Sequence, residues 1–475
     1  MNIFNQHLGL YTDFYELTMA QGYFLDGRKD VTAGFDYFCR TNPFQGGYIL
    51  FAGLQDLLDI LQSLKFEDED CAYLKQVGFK DEFLRYLKKF RFRGNIFSVC
   101  EGEVVFPLEQ VSRVEGNIIE TQIIESMVLN ILNFESLIAT KASRVRRSAG
   151  DSLITDFGLR RAQGFGGVHA SRACIIGGFN STSNVLSAFT FGLKPVGTQA
   201  HSWIQSFPDE LTAFRHFVKY YPDRCILLVD TYNTLKSGVP NAITVAKELE
   251  RQGKKLFGIR LDSGDLAYLS KQARKMLDQE GLGDVIIIAS NQLDEYVIRS
   301  LRDQGAGIDA YGVGARVITG QPDAALDGVY KMSMIDGKPK LKLSENKEKM
   351  TLPGVKKIIR VVNENKEFYA DAIVLTQEET VDMIYHPLDR ERNVRTANLP
   401  TEEIQFAVME EGRLKQKKLP VEQIAAFAQQ RLGLLPDEHK RFENPHIYKV
   451  GVSQKVLDLQ GRLAAEARAK NVKKS

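Results

Sequence analysis

The chain has 475 residues, 44% of them apolar, 26% charged and 10% aromatic, which is the composition of an ordinary folded protein and excludes a disordered or fibrous one. Lys plus Arg (62) nearly balance Asp plus Glu (60), and a net charge of +2 excludes a general electrostatic grip on nucleic acid, so any anionic ligand must be held locally. The length exceeds what one hydrophobic core usually serves and predicts two or three domains.

Five scattered cysteines (Cys39, Cys71, Cys100, Cys174 and Cys225) form neither a metal pair nor a disulfide framework. The first residues, Met1 to His7, lack a basic stretch followed by an apolar one, and no run of about 18 apolar residues occurs. A cytoplasmic protein, neither exported nor membrane-spanning, is expected. In that setting the triplet Asn180-Ser181-Thr182 matches a glycosylation acceptor by chance.

Taken in chain order, residues 1–130 mix short strands and helices with turn-rich stretches such as Asn42-Pro43-Phe44-Gln45-Gly46-Gly47, and read as an α+β domain. A helix is predicted from Glu120 to Arg147. Residues 131–345 then repeat a short apolar run, a polar or glycine-rich turn and a helical segment. The runs are Ser152–Thr155, Ala173–Ile176, Lys194–Val196, Cys225–Val229, Lys255–Ile259, Val285–Ala289 and Ile308–Tyr311. Seven such units suggest a parallel sheet covered on both faces, read as an α/β fold with a (β/α) barrel rather than a doubly wound open sheet. Residues 346–475 begin Lys- and Glu-rich, continue as a hairpin and helices, and end in a basic helix from Arg462 to Ser475; they form a C-terminal domain expected to pack with the N-terminal one.

In parallel α/β architectures the ligand sits at the carboxyl ends of the strands, so the polar residues after each run should share one site. Those turns supply Arg160, Arg161, His201, Asp230, Arg260, Asp262, Ser263, Asp265, Ser290 and Asn291 with several glycines. Carboxylates, guanidiniums and bare backbone amides together suit a ligand carrying both phosphate and metal. Gly312-Val313-Gly314 reads either as a phosphate-approach turn or as a plain tight turn, because Val317 stands where a third glycine of a dinucleotide fingerprint would be. Arg260 and Asp262 could serve one ligand, and the carboxylates Asp230 and Asp262 could hold Mg²⁺ with substrate oxygens completing its octahedron; the other reading is an Arg–Asp ion pair that orders the turns. His201 is either structural or catalytic. Lys141, Arg144 and Arg147 share a helical face that reads as a solvated basic surface.

The chain carries, in order, the motifs Tyr11–Met19, Phe157–Gly164, Gly177–Val185, Gly197–Trp203, Val229–Asn233, Arg260–Asp265 and Gly312–Gly314, followed by Lys349–Gly354 and Glu438–Pro445. This ordered set, tail included, resembles the nicotinate phosphoribosyltransferases over nearly the whole chain. The resemblance implies an irregular (β/α) barrel of the type II phosphoribosyltransferases, with an α+β domain built from the N- and C-terminal segments. It implies condensation of nicotinate with PRPP, releasing diphosphate, with Mg²⁺ as cofactor and ATP as co-substrate, in NAD salvage. A homodimer with shared active sites is implied too, its small-molecule substrates excluding nucleic acid and membrane as partners.

By the same resemblance, Tyr15 of one subunit stacks on the pyridine ring in the other's site, and Arg260 pairs with the nicotinate carboxylate. His201 is the histidine phosphorylated by ATP. Phe157, Arg160, Ser181, Thr182 and Ser183 line the base site, Asp230 and Asp262 lie near the metal, and Ser290, Asn291, Gly312, Val313, Gly314 and Ala315 cradle the 5′-phosphate. The turn Ser181-Thr182-Ser183-Asn184 has no acidic residue to repel a carboxylate, which favours nicotinate over the rival base nicotinamide. Other readings are a phosphate-ligand sensor that does no chemistry, and a flavin-dependent barrel oxidoreductase.

Overall fold

Runs such as Ile286-Ile287-Ile288 have the β-branched, wholly apolar character of strands buried on both faces, and in a computed structural model of the chain they form one parallel sheet. The structure describes residues 6–343, 351–387, 389 and 391–472. Lys349 and Met350 of the tail motif, and residues 473–475 of the terminal basic helix, lie outside the described residues. The chain divides into two compact units, 141–324 with 420–422, and 1–140 with 325–419 and 423–475.

In the unit 141–324 the strands are β1 (Leu153–Asp156), β2 (Ser181–Thr182), β3 (Ile226–Leu228), β4 (Gly258–Leu261), β5 (Ile286–Ser290) and β6 (Ala310–Val313). Their order in the sheet is β2-β1-β6-β5-β4-β3, and every pairing is parallel. The first strand pairs with the last, Tyr311 opposite Ile154 and Gly312 opposite Thr155. That cyclic sequence is the ordering of a (β/α) barrel; an open doubly wound sheet reverses its order at a switch point instead. No ladder joins β2 to β3 among the described residues, and the gap carries a single parallel bridge, Thr182 to Pro195. The fold is therefore mixed α/β with a barrel-ordered sheet left irregular at its third position.

Four sequence expectations need correction. Lys194–Val196 contributes only the bridge at Pro195 and no strand, because just one residue of it reaches the sheet. Ala173–Ile176 ends the helix Gly166–Ile176, in which residues 170–176 are all buried; a four-residue apolar run does not distinguish a buried helix from a strand. The strand lies just beyond, at Ser181–Thr182. The fifth run enters the sheet only at Gly258 and continues to Leu261, so Arg260 is a strand residue and does not follow the strand. Likewise Gly312 and Val313 belong to β6, leaving Gly314 as the turn.

The helices Val239–Glu250 and Leu266–Gln279 cover β3, β4 and β5 through a core that includes Leu227, Leu228, Val245, Leu249, Ile259, Leu261, Leu277 and Ile287. The helices that follow β4 and β5, Leu266–Gln279 and Glu295–Asp303, are each started by a side chain just beyond the strand. Asp265 accepts the Tyr268 N–H at 3.0 Å, and Asp294 accepts those of Tyr296 and Val297 at 3.1 and 2.9 Å. Asp265, pooled with the site residues in the sequence, serves as a helix cap.

The other unit is built from both ends of the chain. Its seven-stranded antiparallel sheet places Gly328–Ile335 against Thr32–Cys39, and Gln405–Glu410 against Asn95–Val99. A six-stranded sheet, centred on Lys356–Val362 and Phe368–Leu375, completes it. No described helix is long and apolar enough to cross a membrane.

Candidate functional site

Because strand side chains alternate, a residue at the carboxyl end of β4 that points inward meets those at the ends of its neighbours. Arg260 is that residue. Its Nε donates to Ser290 Oγ of β5 at 3.0 Å, its NH1 group to Thr198 Oγ1 at 2.8 Å and Gln199 O at 3.4 Å, and its NH2 group to Asp262 Oδ1 at 3.0 Å. Four of the five guanidinium N–H groups are thereby used, and one on NH2 is left. The guanidinium carbon lies 5.6 Å from the centroid of the Phe157 ring, within cation–π range.

Asp262 is held from two sides: Ser290 Oγ donates to its carboxylate, and its backbone N–H donates to Asp230 Oδ2 at 2.8 Å. Ser263 Oγ donates to the same Asp230 oxygen at 2.6 Å. The other oxygen, Asp230 Oδ1, is buried with no hydrogen-bond partner. An unpartnered buried carboxylate oxygen is costly unless a cation or donor completes it, so the donor set fits Mg²⁺, which typically takes one or two carboxylates beside water and phosphate oxygens. His201, its side chain 40% exposed, begins the helix His201–Gln205; its Nδ1 lies 3.0 Å from Thr231 Oγ1, and its Nε2 stands 3.8 Å from Asp262 Oδ2.

Gly312 pairs with Ser290 across the β5–β6 ladder, and a Cβ there would run into the Phe157 ring. The bare Cα of Gly312 is therefore required by Phe157, whose own N–H donates to Val313 O at 2.8 Å. After β5, Asn291 (φ 84°) and Gln292 (φ 50°) both sit in the left-handed region, a strain of about 1–3 kcal/mol per residue that tends to collect in functional turns.

The turn around Ser181–Ser183 is tightly bonded within itself. Thr182 donates to Asp156 Oδ2 at 2.7 Å, as does Ser171, while Gly158 N donates to Asp156 Oδ1 at 2.7 Å; burial raises the Asp156 carboxyl against these three bonds. Ser181 and Thr155 hydroxyls meet at 2.8 Å. Ser183 is partly exposed beyond them.

The structure thus joins Phe157, His201, Asp230, Arg260, Asp262, Ser290 and Gly312 into one connected cluster. Arg160 is exposed on the turn Leu159–Arg161 and has no ion pair among the described residues. Tyr15 belongs to the other unit, 47% exposed on the helix Phe14–Leu25. The basic helical face is solvated only at Arg147, which is exposed: Lys141 and Arg144 are each 1% exposed and grip Glu295 at 2.6 and 2.9 Å. Sequence reasoning gave no role to Thr198, which holds Arg260, or to Thr231, which orients His201; both lie inside the quoted motifs but lack any charge to single them out.

An arginine set among hydroxyls beside two carboxylates, at the carboxyl ends of a barrel-ordered parallel sheet, is a layout that can receive an anionic ligand together with a cation. Comparisons with known proteins agree. The chain matches the nicotinate phosphoribosyltransferase N-terminal domain over residues 10–133, the nicotinate phosphoribosyltransferase family over 152–380 and the C-terminal domain over 355–460. The nicotinate phosphoribosyltransferase of Bacillus subtilis (strain 168) is 42% identical over 460 residues, covering 94% of this chain and 93% of that protein. That of Dictyostelium discoideum is 34% identical over 511 residues, covering 94% and 87%. The crystal structure of human nicotinic acid phosphoribosyltransferase superposes with a TM-score of 0.85 at 29% identity, covering 95% of this chain and 99% of that one. The chain belongs to the nicotinate phosphoribosyltransferase family.

Proposed function

We propose that the protein condenses nicotinate with PRPP to nicotinate mononucleotide and diphosphate, coupled to ATP hydrolysis, in NAD salvage. The observation that carries this reading is Arg260, locked by four hydrogen bonds with one N–H to spare beside the Phe157 ring. That N–H meets the nicotinate carboxylate, and the pyridine nitrogen is thereby positioned to attack ribose C1 as the C1–diphosphate bond breaks. The nitrogen's lone pair forms the new bond, and the leaving oxygen keeps the old bonding pair. Positioning supplies most of the rate, since little proton transfer is required.

Asp230 and Asp262 would hold Mg²⁺, which when bound draws negative charge from the departing diphosphate. Ser290, Asn291 and the Gly312–Ala315 segment receive the 5′-phosphate. With Nδ1 of His201 occupied by Thr231, Nε2 is the nitrogen left to take a phosphoryl group from ATP. Arg160, Ser181, Thr182 and Ser183 border the base, and Tyr15 reaches it from the partner subunit of a homodimer with shared sites. A cytoplasmic location belongs to the same proposal, supported by five free cysteines.

Assaying both bases with PRPP, ATP and Mg²⁺ tests the reading. Nicotinate turnover with stoichiometric diphosphate release is expected. Robust use of nicotinamide but not nicotinate would establish the rival base instead, PRPP binding without diphosphate release would establish a sensor, and a yellow purified protein would point to a flavin enzyme.

A further inference from the structure

The turns after β5 and β6 are tied together by a contact that the motif reading left out. Asp294, 5% exposed, caps the helix Glu295–Asp303 and is also the partner of Arg316, two residues beyond Gly314. The next residue, Glu295, is fully buried; its carboxylate takes Lys141 and Arg144, and its carbonyl accepts Ser148 Oγ at 2.6 Å. This clamp fixes one end of the strained Asn291–Gln292 turn, and Ser290, bonded to Arg260 and Asp262, fixes the other.

Arg316 contrasts with the cations behind it. Its side chain is 37% exposed, and only NH1 is used, by Asp294. Nε and NH2 have no partner among the described residues. A guanidinium aimed by a buried carboxylate, with donors left over, two residues beyond the Gly314 turn and paired to Asp294 just after the Asn291–Gln292 turn, has the planar fork geometry that grips a phosphate dianion.

We propose that Arg316 is a substrate-binding residue for the 5′-phosphate of the phosphoribosyl substrate, and that Asp294 is its positioning residue. The proposal rests on the phosphoribosyltransferase reading above. It assigns the phosphate a side-chain cation in addition to the backbone amides. Asp294 also ties Arg316 to the turn carrying Ser290 and Asn291, so both turns close on the same group.

Competitive inhibition tests this with two probes, ribose 5-phosphate, which carries the 5′-phosphate alone, and inorganic diphosphate, which resembles the leaving group. For Arg316→Ala in the full chain, the Ki of ribose 5-phosphate and the KM of PRPP should rise about 10- to 160-fold, the value of one charge-assisted bond. The Ki of diphosphate and the KM of nicotinate should stay within about threefold. Arg316→Lys should recover part of the loss, since it restores charge without the fork. Asp294→Asn should weaken ribose 5-phosphate selectively, because Arg316 then loses its aim. Equal loss of both probes, or no change in either, would overturn the assignment. If Arg316→Ala does not fold, wild-type affinity for ribose 5-phosphate in Arg316→Lys would overturn it as well. Wild-type protein that binds ribose 5-phosphate but does not turn over PRPP with nicotinate would instead sink the parent reading.

Discussion

Arg260→Ala gives the sharpest test of how the base is recognised, because the structure limits how large its effect can be. Four of the guanidinium N–H groups are committed to Ser290, Thr198, Gln199 and Asp262, so a carboxylate can gain one charge-assisted bond without displacing a protein partner. Such a bond contributes about 1.5–3 kcal/mol, and at about 1.36 kcal/mol per decade the substitution should lower kcat/KM for nicotinate about 10- to 160-fold. The PRPP dissociation constant should move less than about threefold, since Ser290 and Asp262 retain each other as partners. Steady-state kinetics at saturating PRPP, with PRPP affinity measured separately by calorimetry, provide both numbers. Equal losses for base and PRPP would refute the pairing. A loss above about a thousandfold would refute the claim that a single N–H is available.

His201→Ala should abolish stimulation by ATP while leaving turnover without ATP near its wild-type rate; a variant still stimulated would exclude Nε2 as the phosphoryl acceptor. Gly312→Ala places a Cβ in the Phe157 ring and should lower Tm by several degrees, with overpacking costing about 1–3 kcal/mol, and a thermal melt matching wild type would contradict that packing. Glu16 is fully buried, and burial raises its carboxyl to about 7 against hydrogen bonds from Ser126 and Thr12. The folded state therefore binds more protons than the unfolded one between its ordinary value of 4.5 and about 7, so stability should decline as pH rises through that window. Calorimetric melts of Glu16→Gln across the same range should lack this slope, and an unchanged slope would assign it elsewhere.

Strand ends and turns were the legible part of this chain, because a parallel sheet needs apolar runs and its ligand residues follow them directly. That logic singled out Asp230, Arg260, Asp262 and Ser290, which the fold brings into contact, with no packing information. It failed at Ala173–Ile176, where a helix with a continuously buried last turn has the same apolar face as a strand. It also passed over Ser181–Thr182, whose strand character comes from its ladder to Thr155 and Asp156 and not from propensity. Charge misled at Lys141 and Arg144. Their helical spacing looks like a wet surface until Glu295, far along the chain, supplies the counter-charge. Residues that act through neighbours, such as Thr198 and Asp294, leave no pattern to read before the chain is folded.

The antiparallel pairing of Thr32–Cys39 with Gly328–Ile335 also sets a schedule for biosynthesis. The early strand leaves the ribosome long before its partner exists; at about 5–20 residues per second the wait is on the order of 15–60 s. Throughout that interval residues 33–37, buried in the finished sheet, lack the partner edge they will share. Residues 141–324, whose sheet pairs only within themselves, can meanwhile complete their own pairing. Nascent chains should accordingly depend on chaperone holding through the N-terminal segment, and slowed translation near residue 330 should cost more yield than the same delay placed inside the parallel sheet.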